Sequence, residues 1–200
     1  ILLGYKCGLR LGETLAITWD DIDFDNKTLF VRKQILRMGR VVETYNGMSF
    51  FYLAEPKYGS KRMIDLDDDL IGYLRELKKR IDDTPPKVEN FVLNNGTKRI
   101  NHNGEGEKIQ FVNQTVDGAF LTDTFAQKVS RTINKDMGIP FHYHSLRHLH
   151  SNMLQDAGVQ ITYVQHRLGH KHPELTTQTY RRMTSNSTEQ GRAALNNIFK

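Results

Sequence analysis

The chain has 200 residues, with 28 Lys+Arg against 23 Asp+Glu and a formal net charge of +5 at pH 7. An apolar share of 38%, with ten Phe and eight Tyr, supplies a core for one domain or two small ones and excludes disorder and collagen-like structure. The lone Cys7 excludes a disulfide scaffold or cysteine zinc ribbon, and no apolar run nears the ~20 residues of a bilayer span, so the chain reads as soluble and at home in a reducing compartment.

The opening Ile1-Leu2-Leu3 is apolar and has neither an initiator Met nor a capping residue, so the chain reads as a fragment cut inside a helix of a longer protein. A first helix is expected to end at Gly8 and a second to cover residues 10–16. Residues 28–34, rich in β-branched and aromatic side chains, read as a strand. Gly39-Arg40 and Asn46-Gly47 are turn signals. Residues 50–55 and 61–66 read as the last two strands, joined by a turn at Tyr58-Gly59-Ser60. An amphipathic helix is expected over residues 70–81. Asp67, Asp68 and Asp69 at its start and Lys78, Lys79 and Arg80 at its end suit the helix dipole. Pro85-Pro86 lies beyond it. After Phe91-Val92-Leu93, the Asn- and Gly-rich stretch 94–118 reads as a long surface excursion with room for a hairpin.

From residue 122 the pattern turns helical. Over 122–135, Phe125, Val129 and Ile133 form the expected buried stripe, while Thr124, Lys128, Arg131 and Lys135 share the opposite face. Over 145–157 the expected buried stripe is Leu146, Leu149, Met153 and Ala157, with His144, Arg147, His148 and Ser151 on the other side. Pro173 suits the first turn of a helix running through Tyr180. The tail, residues 184–200, starts polar and ends in an apolar stripe of Ala193, Ala194, Leu195, Ile198 and Phe199. It is expected to dock on a neighbouring subunit, with folding back onto its own chain left open. The whole reads as an α+β domain, mainly helical, with a small antiparallel β-sheet near its N-terminal side.

Several groups invite chemistry. In His144-Ser145-Leu146-Arg147-His148, a base and a guanidinium lie three apart at a helix N-terminus, a cradle for phosphate or carboxylate. His142, His144, His148, His150, His170 and His172 also raise a zinc reading. It fails for want of a Glu between the i,i+4 pair and because Arg147 repels a dication, so no metal is expected. In Gly8-Leu9-Arg10-Leu11-Gly12-Glu13, an Arg follows a helix-ending glycine and pairs at i,i+3 with Glu13. Lys57, Lys61 and Arg62 surround a hairpin tip; such a basic tip is usually solvated but can also reach into a DNA groove. Leu168-Gly169-His170 ends a helix, with Tyr180, Arg181 and Arg182 beyond.

Taken in order along the chain, these blocks resemble the tyrosine recombinase family, the lambda-integrase type of phage and mobile-element integrases. The resemblance runs from Leu3 to about Met183. It implies the tyrosine recombinase catalytic fold, with residues 1–200 as the catalytic domain and the N-terminal DNA-binding domains absent. It implies that Arg10 and Arg147 hold the scissile phosphate, that Lys57 is the general acid, that His144 accepts the nucleophile's proton, that His170 hydrogen-bonds the phosphate and that Tyr180 is the nucleophile. Glu13 and His148 fit as supports. Tyr180 lies ten positions after His170, one more than is usual in the family. The strand region 34–55 is longer than a three-stranded sheet requires, which leaves Lys61 as the alternative acid.

The implied activity is site-specific DNA recombination through a covalent 3′-phosphotyrosine, integrating or excising a phage or mobile element. Type IB topoisomerase-like cleavage and a non-catalytic DNA-binding module are the alternatives. The implied partner is double-stranded DNA, contacted by Lys61, Arg62, Lys128 and Arg131, with the protein as a tetramer joined through the tail in a bacterial or phage-infected cytoplasm. No cofactor is expected. The sequence carries no ATP-binding Gly-x-x-x-x-Gly-Lys-[Ser/Thr] loop and no acidic cluster of two-metal type. A tyrosine hydroxyl has a pKa of about 10, so a phenolate at pH 7 costs roughly 4 kcal/mol unless nearby cations and a base help.

Overall fold

The computed structural model describes residues 1–38, 50–82, 89–92, 98–101, 107–115, 117–169 and 185–199. Two short helices open it, α1 (Leu2–Cys7) and α2 (Leu11–Ala16). Gly8 ends α1 in the left-handed region at φ 65°, which a β-carbon disfavours. Arg10 is the N-cap of α2 and its backbone N–H donates to Glu13 Oε2 at 3.0 Å.

Three antiparallel strands follow, β1 (Ile22–Asp23), β2 (Thr28–Val31) and β5 (Arg62–Asp65), in the order β1-β2-β5, with Leu29 opposite both Ile22 and Ile64. Between β2 and β5 in sequence lie β3 (Gln34–Met38) and β4 (Phe50–Ala54), which belong to a different sheet. The single strand expected over 28–34 therefore breaks at Arg32-Lys33. Asp21, whose side chain is fully buried, takes Arg32 Nε at 2.6 Å and Lys33 Nζ at 2.8 Å. That pull turns the chain before Gln34 starts the second sheet.

After β5 comes helix α3 (Asp68–Ile81). Its N-cap Asp67 accepts from Leu70 N at 2.9 Å and from Lys6 Nζ at 2.7 Å, a buried ion pair that ties α3 to α1. The helix and its charge polarity agree with the sequence pattern. Strands β6 (Glu89–Val92), β7 (Lys98–Asn101) and β8 (Glu107–Lys108) complete an antiparallel five-stranded sheet, β3-β4-β7-β6-β8. The stretch 94–118 thus carries strands of a second sheet, larger than the small sheet expected. The turn signals at 39–40 and 46–47, and Pro85-Pro86, lie outside the described residues.

Helices α4 (Asp123–Met137), α5 (Tyr143–Asp156), α6 (Ile161–Leu168) and α7 (Ser185–Ile198) form the C-terminal half. No residue of α4 is buried, and Phe125, expected inside, is 48% exposed. On α5 the buried stripe is Leu146, Arg147, His150 and Leu154, with Leu149 exposed. The expected stripe is rotated because Arg147 and His150 bury against backbone carbonyls that satisfy their polar atoms.

The main core joins α1, the three-stranded sheet and α3 through Leu9, Leu29, Val31, Ile64, Leu70 and Leu74. A second cluster, including Leu15, Ile35, Phe111 and Phe120, seats α2 on β3. In the third, Leu195 and Phe199 pack on Leu154, Val164 and Leu168. The tail expected to reach a neighbouring subunit is therefore folded onto its own chain over residues 185–199. Phe199 meets Tyr5 edge-on at 5.2 Å and stacks on His150 at 5.6 Å, and its carbonyl accepts from Lys6 Nζ at 3.1 Å. Alternating apolar residues on a short helix suit either partner, and complementarity to α5 and α6 makes the choice.

Candidate active site

Arg10 and Arg147, far apart in sequence, converge where the end of α1, the start of α2 and the end of α6 meet. Arg147 Nη1 donates to the Gly8 carbonyl at 2.8 Å and Nη2 to the Leu168 carbonyl at 2.6 Å. Arg10 Nη2 donates to the Gly169 carbonyl at 2.9 Å and Nη1 to Glu13 Oε1 at 2.8 Å. Gly8 and Gly169 both end helices with a φ of 65°, and the space beside each is taken. A β-carbon would lie 2.7 Å from His150 Cδ2 at Gly8 and 2.8 Å from Arg62 Nη1 at Gly169. Glycine is the residue that lets these two carbonyls be presented to the arginines.

Arg62, expected at a DNA-facing hairpin tip, is instead inside. Its side chain has no exposure and pairs with the equally buried Glu13, Nη2 to Oε2 at 2.9 Å and Nη1 to Oε1 at 3.1 Å. Its Nε donates to the Arg167 carbonyl at 2.8 Å. The alternation of β5 turns it inward, because Arg62 and Ile64 share the buried side while Met63 is 48% exposed. Arg62 therefore leaves the set of DNA-contacting residues.

Two guanidiniums, those of Arg62 and Arg10, thus share one carboxylate, with Arg147 held beside them on backbone carbonyls. Burial by itself would raise the Glu13 carboxyl, but the hydrogen bonds and charge of Arg62, then those of Arg10, hold it below the ordinary carboxylate range. Arg147, 5% exposed, is pulled down to about 10, by desolvation first and then by repulsion from Arg10 and Arg62. Among the described residues, Arg147 faces carbonyl dipoles and no carboxylate. The cluster is short of negative charge in the way an anion-binding site is.

At the N-terminus of α5, His144 is exposed, its ring edge-on to His148 at 4.7 Å. Its pKa is lowered by partial desolvation first, then by His148, Arg147 and Arg10, so His144 is neutral near pH 7 and able to accept a proton. Tyr143 fastens this end of α5 to α2 by a 2.6 Å hydrogen bond between its hydroxyl and Thr14 Oγ1.

Lys57 sits in a one-turn 3-10 helix (Lys57–Gly59), exposed, with its Nζ 5.1 Å from the centre of the Tyr58 ring. Tyr58 takes a φ of 63° there. The turn is tied to the site through the Ser60 carbonyl, which accepts from Arg62 Nη1 at 3.1 Å. Lys61 is paired with Glu55. Lys128 and Arg131 are exposed on α4. His170 and Tyr180, with His172, Pro173, Arg181 and Arg182, lie outside the described residues. Among those described, no group of three or more His, Cys, Asp or Glu is placed to hold a metal ion, and no helix is long and apolar enough to cross a membrane.

Two residues given no part in the site by the sequence reading support it, Arg167, which it does not name, and His150, which it weighs only as a zinc ligand. His150 accepts from Arg167 Nε on its Nε2 at 2.9 Å, while its Nδ1 lies 2.9 Å from the Tyr5 carbonyl. Arg167 also donates to the Asp65 carbonyl at 2.6 Å and the Lys6 carbonyl at 3.0 Å. Their signal in the sequence is position alone, since His150 lies one helical turn past Arg147 and Arg167 directly precedes Leu168-Gly169.

Clustered guanidiniums short of negative charge, on an α+β scaffold, define a class of site suited to an anion. The model of the Phage integrase family matches residues 1–187, and the chain belongs to that family. It is 28% identical over 200 residues to a XerC-like tyrosine recombinase of Caldanaerobacter subterraneus subsp. tengcongensis, covering 99% of this chain and 48% of that protein. It is also 28% identical over 181 residues to transposase A of transposon Tn554 from Staphylococcus aureus, covering 90% and 42%. The chain spans about half the length of these curated relatives. Among solved structures, the Tn1549 transposon integrase in complex with transposon right end DNA matches 94% of this chain and 55% of its own, with a TM-score of 0.60 at 23% identity. The XerA recombinase matches with a TM-score of 0.53 at 15% identity. These two likenesses establish the fold, and the second, five-stranded sheet is part of it here.

Proposed function

We propose that this chain is the catalytic unit of a site-specific DNA recombinase, which cuts and rejoins double-stranded DNA of a phage or mobile element through a 3′-phosphotyrosine at Tyr180. The observation that carries this reading is the cluster of Arg10, Arg62 and Arg147 around the end of α6, where Glu13 is the carboxylate that pairs with Arg10 and Arg62 and Arg147 rests on carbonyls. Arg10 and Arg147 keep donors beyond those spent on carbonyls and Glu13, and offer them to the nonbridging oxygens of a phosphodiester. Charge grows on those oxygens in the transition state, and each well-placed donor of this kind contributes roughly 3 kcal/mol there.

In the proposed step, Tyr180 Oη attacks phosphorus, a P–O bond to tyrosine forms and the P–O5′ bond breaks. His144 takes the tyrosine proton and Lys57 gives one to the departing 5′-oxygen. The phosphodiester is conserved as a phosphotyrosine ester, so rejoining needs no nucleotide. His170, directly after Gly169 in sequence, is the proposed further phosphate donor. Lys57 is preferred over Lys61 as acid because Lys61 is held by Glu55, while Lys57 forms no ion pair among the described residues. Lys128, Arg131 and Lys61 are proposed backbone contacts. Assembly on DNA, proposed as a tetramer, uses surfaces other than the face of residues 185–199 folded onto their own chain. The setting is the cytoplasm of a bacterial or phage-infected cell.

The test is an SDS-stable protein–DNA adduct formed on nicked DNA in EDTA. We expect the adduct from the parent and none from Tyr180→Phe, with DNA affinity nearly unchanged because no charge is lost. Adduct persisting in Tyr180→Phe refutes the nucleophile, and cleavage that requires a divalent metal refutes the class.

A further inference from the structure

Three guanidinium groups end on three consecutive carbonyls. Arg62 meets that of Arg167, Arg147 that of Leu168 and Arg10 that of Gly169, at 2.8, 2.6 and 2.9 Å. These are carbonyls at the C-terminal end of α6, where intrahelical donors run out and the helix dipole is negative. The row is held still by Arg167, whose side chain reaches back to His150, Asp65 and Lys6 on α5, β5 and α1.

Glu13 stands among the same arginines and is divided between two of them. Its Oε1 takes Arg10 Nη1 at 2.8 Å and Arg62 Nη1 at 3.1 Å, and its Oε2 takes Arg62 Nη2 at 2.9 Å and the Arg10 backbone N–H at 3.0 Å. Arg62 therefore has the fork-on-carboxylate contact, and the Arg10 side chain has one oxygen only. A side chain with no exposure is closed to DNA, yet this one sits against the carboxylate that sets where Arg10 points.

We infer that Arg62 is a positioning residue for strand cleavage: it occupies Glu13 bidentately, and so keeps Arg10 from closing on that carboxylate and leaves its remaining donors free for the scissile phosphate. The inference rests on the reading of Arg10 and Arg147 as phosphate-binding. Without Arg62, Glu13 has a single guanidinium partner among the described residues, that of Arg10, and the bidentate pair is the strongest arrangement open to the two. Arg10 then swings toward Glu13, away from Gly169 and the phosphate, and a shift of about 1 Å at such a group costs on the order of 10² in rate. Arg62 also ties Ser60, in the turn after Lys57, to the end of α6, so acid and phosphate clamp share one strut.

The experiment compares Arg62→Met, Glu13→Gln and the double variant by the rate of covalent adduct formation on nicked DNA, by DNA affinity and by thermal melting. Arg62→Met is expected to cleave about 10²-fold more slowly, with affinity within about threefold because one phosphate contact among several, that of Arg10, is weakened. Adding Glu13→Gln removes the charge that captures Arg10, so the double variant is expected to cleave at least about tenfold faster than Arg62→Met. A merely structural strut predicts no such rescue.

Arg62→Met that cleaves like the parent, or a double variant no faster than the single one, overturns the inference. Should Arg62→Met fail to fold, Arg62→Lys and Arg62→Lys/Glu13→Gln decide in its place. A single ammonium holds Glu13 only in part, so the second substitution again raises the rate, and equal rates overturn the inference. Arg10→Ala and Arg147→Ala separate the two levels. If neither slows cleavage, the phosphate-binding reading fails. If both do and Arg62 variants do not, only the positioning role fails.

Discussion

Replacing Arg147 with Ala sets two large effects against each other in the fold and leaves the chemistry exposed. Arg147 stays charged although its pKa is lowered from 12.5 to about 10. For a base whose folded-state pKa is depressed, folding carries the full difference at every pH below the folded value, here about 3 kcal/mol at pH 7. Against that stand two charge-assisted hydrogen bonds, to Gly8 and Leu168, each contributing about 1.5–3 kcal/mol. Arg147→Ala removes both terms, so the free energy of unfolding in urea is expected to change by less than about 2 kcal/mol. Cleavage has no such compensation, and adduct formation should fall by about 10²–10³. The same imbalance makes the parent responsive to anions. Low-millimolar sulfate at constant ionic strength should raise its urea midpoint, with a ceiling near 2.7 kcal/mol at 100 times the dissociation constant, and should leave the variant unchanged. A loss of more than about 4 kcal/mol in stability would make Arg147 a structural strut. Undiminished cleavage would refute its place at the phosphate.

Leu195→Ala and Phe199→Ala should each cost about 3 kcal/mol and lower the melting temperature, with the association state unchanged; an unchanged melting temperature with weakened association would put the tail in trans. Acid should destabilise the fold through two buried histidines. His150 is held well below 6.5 by desolvation and then by Arg167, and His166 is lowered to about 4 by desolvation and then by Arg62. Both stay neutral when folded and protonate when unfolded, so their stabilisation is complete above about pH 6.5 and is lost as pH falls toward the folded values, by about 2 kcal/mol at pH 5 for His166; equal urea midpoints at pH 7 and pH 5 would refute it. Lys57→Ala should slow cleavage by ~10²–10⁴ on ordinary DNA and recover on DNA with a 5′-bridging sulfur, whose thiolate departs without a proton. Recovery in Lys61→Ala in place of Lys57→Ala would move the acid to Lys61.

Much of this protein is written locally. The glycine that ends α1, the Asp-rich start and Lys/Arg-rich end of α3, and the start of α2 each follow from side chains within a turn of the feature they control. The order of Arg10, Lys57, His144, Arg147, His170 and Tyr180 is likewise a property of the chain, and it was enough to point to the family. What tertiary structure decided concerns groups whose partners are remote. Arg62 reads as a hairpin-tip cation until Glu13, 49 positions away, takes it inward. His150 reads only as one of several histidines that raise, and fail, a zinc reading until Tyr5 and Arg167 engage both ring nitrogens. The tail fits a neighbour or its own core equally well by pattern, and only the surface of α5 and α6 selects the core. Residues 28–38 divide between two sheets because Asp21 captures Arg32 and Lys33. A buried charge is tolerated only where a counter-charge or carbonyl awaits it, and for Arg62, Arg147 and Arg167 those partners lie far away in the chain.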